Sequence, residues 1–528
     1  MFFKIFFLTT LLFVGLNADI TLSYIKSNPL SHARDFMIWQ YLNQKNITPQ
    51  KAKEVFKLVK NQKNLKIKKA YAKIVDDEIR YTLACKKEKE LLKLDDKCLN
   101  IAFSPYKTIK LTKAQREELL KKELNSTQKE LLKIQNEPFD IKQYYSYKPN
   151  IILKFFLSLP KKTFKENFNK KLPKDFIQYL STSSLFSTFI AKSVTNYELN
   201  QLHKSFFSIN SDKLNYQTYF YLALNALRYD NKTSAMQYLK KSEQKAYKSY
   251  QKDRAVFWMY LITGDESYLN DLLLSMSINV YTIYAHEKMK VDILNYSDMI
   301  YIDKVSSNYD LQNPFDWFKI YTEIKNTPNS KLFEMVKKYK HQNLIPIQRF
   351  ILEKAYNYKL HWYISPYDKY LNNLSIDYKS QIYAIMRQES NFIPSAISSS
   401  FALGLMQLMP FLIDHISKAK KENLKDYNEM FQPERNLKYS ITHLNWLKKN
   451  LDNTLYIAYA YNGGLGFFTK YKKQDRFKKG KYEPFMSMEM MSNSQSREYG
   501  KKVLANYYMY KKIYNEPFSM IWFLRNLD

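Results

Sequence analysis

Glycine usage narrows the fold more than any other feature of the chain. The 528 residues include eight glycines, and six of them fall between Gly404 and Gly500. Glycine is needed where φ is positive or where another backbone or a ligand approaches closely. The first four hundred residues therefore read as helices joined by ordinary turns. The last stretch demands special backbone geometry, and the chemistry is expected there.

Periodicity agrees. No run alternates apolar and polar residues in the manner of a half-buried strand. Instead Tyr216, Phe220, Ala223, Leu224 and Leu227 form one helical stripe. A turn at Tyr229-Asp230-Asn231 follows, and Ala235, Tyr238 and Leu239 open a partner helix. Phe257, Tyr260 and Leu261, a turn at Gly264-Asp265, then Tyr268, Leu269, Leu272 and Leu273 repeat the arrangement. Paired helices repeating in this way predict an α-solenoid, in which each pair buries its apolar face on the next. An irregular helical domain fits the same spacing, because the repeats match no consensus. The fold class predicted is all-α in the main. The expected layout is a superhelical domain over 19–290, a helical linker over 291–360 and a catalytic domain over 361–528. The last boundary rests on Trp362 to Pro366 and on the change in glycine usage beyond it.

The N-terminus, MFFKIFFLTTLLFVGLNADI, has a basic Lys4, an apolar run from Ile5 to Leu16 and a plausible cleavage point at Ala18. That pattern predicts a signal peptide over 1–18, too short for a comfortable membrane span. An uncleaved anchor is the other reading of the same run. A periplasmic protein, soluble once processed, is expected. The formal net charge of +33 invites a polyanionic partner. Export argues against nucleic acid, which leaves lipid head groups and cell-wall carboxylates. Peripheral association with the wall or membrane is consistent with this charge, as is lysine that simply coats helix surfaces. The two cysteines, Cys85 and Cys98, are a disulfide candidate in an exported chain, with two buried thiols as the alternative. Two cysteines without a histidine at ligand spacing do not make a zinc site. The seven histidines show no HExxH or paired spacing, so no metal or organic cofactor is expected.

Within Ile376 to Phe392, Tyr378, Ile382, Ile385 and Met386 share one helix face, and Glu389 continues it. Ionising a carboxyl on a buried face is costly, so its pKa should rise. Asn391 to Pro394 end the helix, and the negative end of its dipole acts in the same direction. A carboxylic acid still protonated near neutral pH suits general-acid catalysis. Spacing alone favours instead a glutamate turned to solvent at a helix end. Downstream, Ser398 to Ser400 lead into Phe401-Ala402-Leu403-Gly404-Leu405-Met406-Gln407, where small residues permit close approach and Gln407 offers an amide. A further helix, Leu455 to Tyr461, ends at Asn462-Gly463-Gly464-Leu465-Gly466.

MRQESNF, SSSFALGLMQLMP and AYNGGLG, in this order, resemble the three signature motifs of the soluble lytic transglycosylase family. The resemblance covers about residues 360 to 515 and implies a goose-lysozyme-like domain carried on a helical superhelix. Carried over position by position, it implies that Glu389 is the catalytic acid. It implies substrate contacts at Ser398, Gln407 and Met409 in the second motif and at Tyr461 and Asn462 in the third. Glu489 to Ser492 and Gln495 to Tyr499 resemble a further segment, implying a cleft glutamate at Glu489 and a packing role for Tyr499. The sequence departs from the family pattern at Phe401, where glycine is usual, and at Gly463, Leu465, Ser492 and Gln495.

The next acidic residue after Glu389 is Asp414, beyond the GLMQ segment, so no motif places a second carboxylate beside the acid. The resemblance implies a one-carboxylate mechanism on peptidoglycan glycan strands. Glu389 would protonate the oxygen between N-acetylmuramic acid and N-acetylglucosamine, then take the proton of the muramyl 6-hydroxyl as a 1,6-anhydro ring closes. A hydrolase of the same fold needs the same acid, and a non-catalytic scaffold for glycan or protein partners needs none. Other cell-wall enzymes are candidate partners of the superhelix.

Overall fold

The structure, a computed structural model, describes residues 20–207, 209, 212–302 and 309–527. The segment read as a signal peptide, 1–18, lies outside the described residues. No described helix is long and apolar enough to cross a membrane. Helices dominate, as the all-α expectation required. The named strands among the described residues are a parallel pair of two-residue segments, β1 (Tyr296–Ser297) and β2 (His361–Trp362).

The helices that position the site are numbered here α1 to α13. The two predicted pairs form as α2 (Tyr216–Arg228) with α3 (Lys232–Gln244) and α4 (Ser249–Thr263) with α5 (Ser267–Leu273), and α6 (Val280–Met289) follows them. Each packs on the next in order, as in a solenoid. Local chemistry sets their ends. Asn215 caps α2 by accepting from the Thr218 amide, and Asn231 caps α3 by accepting from that of Ser234. Gly264 ends α4 with φ of 73°.

The C-terminal domain is built on α8 (Ile376–Ser390), α9 (Pro410–Lys420), α10 (Pro433–Lys448), α11 (Thr454–Gly463), α12 (Phe485–Glu489) and α13 (Ser494–Ile513). α8 and α11 both pack along the long α13. Gly500 makes that approach possible, because a Cβ there would lie 2.2 Å from the Tyr459 ring.

Three apolar clusters hold this domain to the rest of the chain. On one side α4 and α6 meet α12, with Phe257 and Phe485 4.7 Å apart between ring centroids. On another, α7 (Ile345–Ala355) and its neighbours pack around Ile393. On the third, α1 (His32–Tyr41) returns from the far end of the chain to cover 401–431. The helical array therefore closes on the domain from both ends. Cys85 and Cys98, in the N-terminal helices, are joined by a disulfide.

Phe401 is the centre of the α1 contact. It is fully buried, against Phe36 at 5.5 Å and Trp39 at 5.6 Å. Its φ is 63°, the left-handed region that glycine adopts freely. The departure from glycine at this position thus carries a backbone cost of roughly 1 kcal/mol. Burying the ring, about 1.5–3 kcal/mol, more than offsets it.

Candidate active site

Glu389 is the penultimate residue of α8, which ends when Asn391 turns left-handed with φ of 53°. The apolar stripe read from the sequence is buried along this helix: Tyr378, Ile382, Ile385 and Met386 all face the core. Glu389 itself keeps part of its surface in contact with solvent. Burial of the carboxyl raises its pKa to about 7, and a hydrogen bond from Tyr499 acts in the opposite direction. The Tyr499 hydroxyl donates to Oε1 at 2.7 Å. Tyr499, expected only to pack, is thus in direct contact with the candidate acid. Asp414, the next acidic residue, accepts at 2.9 Å from the Tyr427 hydroxyl instead.

The end of α8 is held by a buried ionic clamp. Glu353 on α7 pairs with Arg387 at 2.8 Å and with Arg349 at 2.7 Å. Arg349 also donates to Oδ1 of Asn391 at 2.8 Å. The residues two before and two after Glu389 are therefore both tied to α7. A buried pair of this kind fixes geometry more surely than it adds stability.

The 396–409 segment folds into a tight loop closed by its own backbone hydrogen bonds. The Ser398 hydroxyl accepts from the Ala402 amide at 2.9 Å. Gln407 donates to the carbonyls of Ala396 at 3.0 Å and Gly404 at 2.9 Å. Gly404 has φ of 76°, and a Cβ there would lie 2.3 Å from the Met430 carbonyl oxygen. Asn436 on α10 holds the loop from behind: it accepts from the Met406 amide at 3.0 Å and donates to Leu403 at 3.1 Å and Met430 at 3.0 Å. Met409, half-buried, precedes α9.

Tyr461 joins this loop to the acid. Its hydroxyl donates to the Met406 carbonyl at 2.7 Å, and its ring lies parallel to that of Tyr499 at 6.5 Å. The negative charge of ionised Glu389 and burial both raise the Tyr461 pKa, burial more. Both tyrosines therefore remain hydrogen-bond donors at any pH the protein meets. Asn462 is exposed at the end of α11 and accepts from the Ser496 hydroxyl at 3.0 Å. Glu389, Tyr461 and Tyr499 thus converge, while Gln407 and Ser398 brace the loop from within.

Glu489 lies elsewhere, a correction to the reading of it as a cleft glutamate. It is 2% exposed at the contact between α4, α6, α12 and α13. Lys501 donates to both its oxygens, at 2.9 and 3.0 Å, and Tyr281 donates to Oε1. Arg254 stands 3.6 Å away. Almost fully buried and bonded to Lys501 and Tyr281, its carboxylate is placed as a counter-ion to Lys501 and Arg254.

Residues 369–483 match the Transglycosylase SLT domain family. The match takes in the acid, the 396–409 loop and the AYNGGLG turn, and stops short of Tyr499. A putative soluble lytic murein transglycosylase of Haemophilus influenzae is 29% identical over 40% of this chain and 36% of its own length. The soluble lytic murein transglycosylase of Escherichia coli is 30% identical over 25% of this chain and 21% of its own length. The matched stretches thus span only about a third and a fifth of those relatives. A solved complex of a 70-kDa soluble lytic transglycosylase with bulgecin A aligns over 94% of this chain and 88% of that one, at 16% identity and a TM-score of 0.49.

The sequence named Glu389 and the loop residues around it. It did not name Glu353, Arg349 or Asn436. A glutamate four residues after an arginine on one apolar helix is a visible signal for the Arg349–Glu353 pair. The reach of that pair to Arg387 and Asn391 has no local signal.

Proposed function

We propose that this protein is a periplasmic lytic transglycosylase that cleaves the N-acetylmuramic acid–N-acetylglucosamine bond of peptidoglycan without water. What carries the reading is one carboxyl, raised to about 7, at a partly open site within an SLT-domain match. Such a group is protonated in a large share of molecules near neutral pH and is a competent base once ionised.

Glu389 gives its proton to the departing glycosidic oxygen as positive charge develops at C1. The Tyr499 hydroxyl, already 2.7 Å from Oε1, stabilises the carboxylate that forms. That carboxylate then removes the proton of the muramyl 6-hydroxyl. The hydroxyl oxygen bonds to C1, and Glu389 returns to its acid form. The proton balance closes on one residue. A retaining hydrolase places a second carboxyl about 5 Å from the acid. At Glu389 the two influences on titration are burial and Tyr499, neither of them a carboxylate.

The test is mass spectrometry of fragments released from purified sacculi, with Glu389→Gln beside the native protein. Products one water lighter than hydrolysis products, absent with the variant, are expected. Reducing-end products would make the protein a hydrolase. Release by Glu389→Gln equal to the native protein would remove Glu389 from the mechanism, and no release by either would favour a binding scaffold.

A further inference from the structure

Two side chains from the far end of the chain grip the 396–409 loop from outside. Asn64, 8% exposed, donates through Nδ2 to the Ser399 carbonyl at 3.1 Å. Lys66 donates through Nζ to the Ser400 carbonyl at 2.9 Å. Both donors are themselves held in place. Asn64 Oδ1 accepts from the amides of Lys66 at 2.9 Å and Ile67 at 3.3 Å, which caps the helix Leu65–Ile74. The Lys66 ammonium lies over the rings of Trp39 at 5.8 Å and Phe401 at 5.7 Å, a favourable seat for a cation. The contact that buries Phe401 therefore also sets the lysine within reach of the loop.

Peptide geometry carries this grip across to Ser398. A planar trans peptide unit presents its carbonyl and its amide on opposite sides. Drawing the Ser399 carbonyl out to Asn64 aims the Ser400 amide inward, and it donates to the Ser398 hydroxyl at 3.3 Å. Drawing the Ser400 carbonyl out to Lys66 aims the Phe401 amide inward, and it donates to the Ser398 carbonyl at 2.9 Å. The Ala402 amide adds a second bond to the Ser398 hydroxyl at 2.9 Å. With two amides on its oxygen, that hydroxyl is fixed as a hydrogen-bond donor. Ser399 and Ser400 are exposed, and Phe401 sits at a φ of 63°. A polar tip next to a strained residue has little of its own to hold two peptide planes in place.

We propose that Asn64 and Lys66 are positioning residues for the reaction, which act through Ser398 to set the affinity of the site for a glycan strand. The proposal rests on the transglycosylase reading, which gives the Ser398 hydroxyl a sugar to donate to. Neither Asn64 nor Lys66 touches the substrate. Each turns one peptide plane of the loop, and the two planes together aim the serine. The N-terminal helices thereby contribute to the site from more than three hundred positions away in sequence. Phe401, in place of the usual glycine, is what makes the device particular to this chain. A glycine there would leave neither a ring for Lys66 nor an anchor for Trp39.

The test is the Kd of soluble peptidoglycan strands for the full-length Glu389→Gln protein, which lacks the acid and so reports binding without turnover. Three variants are placed in it. Asn64→Ser keeps a good helix cap and withdraws the amide donor. Lys66→Met keeps an apolar stem against Trp39 and Phe401 and withdraws the ammonium, while Lys66→Arg keeps a donor. Asn64→Ser and Lys66→Met should each weaken binding by about three- to tenfold, the scale of one hydrogen bond, and Lys66→Arg should stay near the parent. Each is then repeated beside Ser398→Ala. Residues that act through Ser398 lose their effect once its hydroxyl is gone, so the double variants should bind no more weakly than Ser398→Ala alone. An unchanged Kd in Asn64→Ser and Lys66→Met would overturn the proposal. Weakening that persists in full beside Ser398→Ala would overturn it too, because it would make both residues general supports of the fold. A parent protein that binds no glycan would overturn the proposal together with the reading beneath it. Failure of the transglycosylase chemistry alone is told apart by product mass: the native protein would release fragments without the 1,6-anhydro end.

Discussion

Replacing Tyr499 by phenylalanine removes one hydroxyl and keeps the ring that stacks on Tyr461. The hydroxyl donates to Glu389 Oε1 at 2.7 Å, and it stabilises the ionised form of the acid. A hydrogen bond to a charged group contributes about 1.5–3 kcal/mol. At 1.36 kcal/mol per pKa unit, its loss raises the Glu389 pKa by about one to two units. The native acid titrates at about 7, and activity requires it protonated before substrate binds. Activity in kcat/KM therefore falls as pH rises through about 7 in the native protein. In Tyr499→Phe that descending limb should lie at about pH 8–9. The rate below the limb should drop as well, because a weaker acid transfers its proton less readily and the nascent carboxylate has lost its donor. The assay is kcat/KM for soluble glycan strands measured across neutral and alkaline pH. General loss of structure would scale the whole profile without moving its limb. A limb that stays in place, or moves to lower pH, would refute the assignment of Tyr499 as the group that tunes the acid.

Two further outcomes follow from the geometry. The Glu389 pKa is raised from 4.5 unfolded to about 7 folded, so its ionisation weakens the fold progressively as pH rises between those values. Glu389→Gln escapes that loss, and urea melts at pH 8 should find it more stable than the native protein by about 2 kcal/mol, given the residual solvent contact, with the gap shrinking towards pH 4. At Phe401, glycine relieves the positive φ but loses the aromatic contact with α1, whereas alanine loses the contact and keeps the strain. Thermal melts should rank native above Phe401→Gly and that above Phe401→Ala, the last about 3–5 kcal/mol below native; alanine equal to or above glycine would contradict the strain argument.

Features set by neighbours in sequence were legible in it. The α2 to α5 pairs were visible because apolar spacing and capping asparagines act within a few residues of each other. Glu389 was visible for the same reason, on a stripe whose burial raises its pKa. Hidden features depend on contacts between distant segments. Asn436 reads as one more polar residue on a helix until the Met406 amide and two carbonyls are found around it. The clamp from Glu353 to Arg387 crosses 34 positions. Tyr499 lies 110 positions from the acid it bonds. Glu489 shows the converse error. A flanking motif suggested a cleft, but only the packing of α4 and α6 against α12 reveals that its oxygens are already taken by Lys501 and Tyr281.

That buried cluster gives a physical account of how a large helical array is held on a small C-terminal domain. Apolar contacts such as Phe257 on Phe485 supply attraction without strong direction. On their own they would let α4 slide along α12. Arg254, Glu489, Glu498, Arg497 and Lys501 cannot slide, because each displaced charge would be left buried and unpaired. The ionic set therefore fixes the register of the contact at a cost in desolvation that the surrounding aromatics offset. The same arginine that locks the register also faces a cleft beside Tyr499. A helical array held loosely would leave α13, and with it the hydroxyl that bonds the acid, without a fixed position.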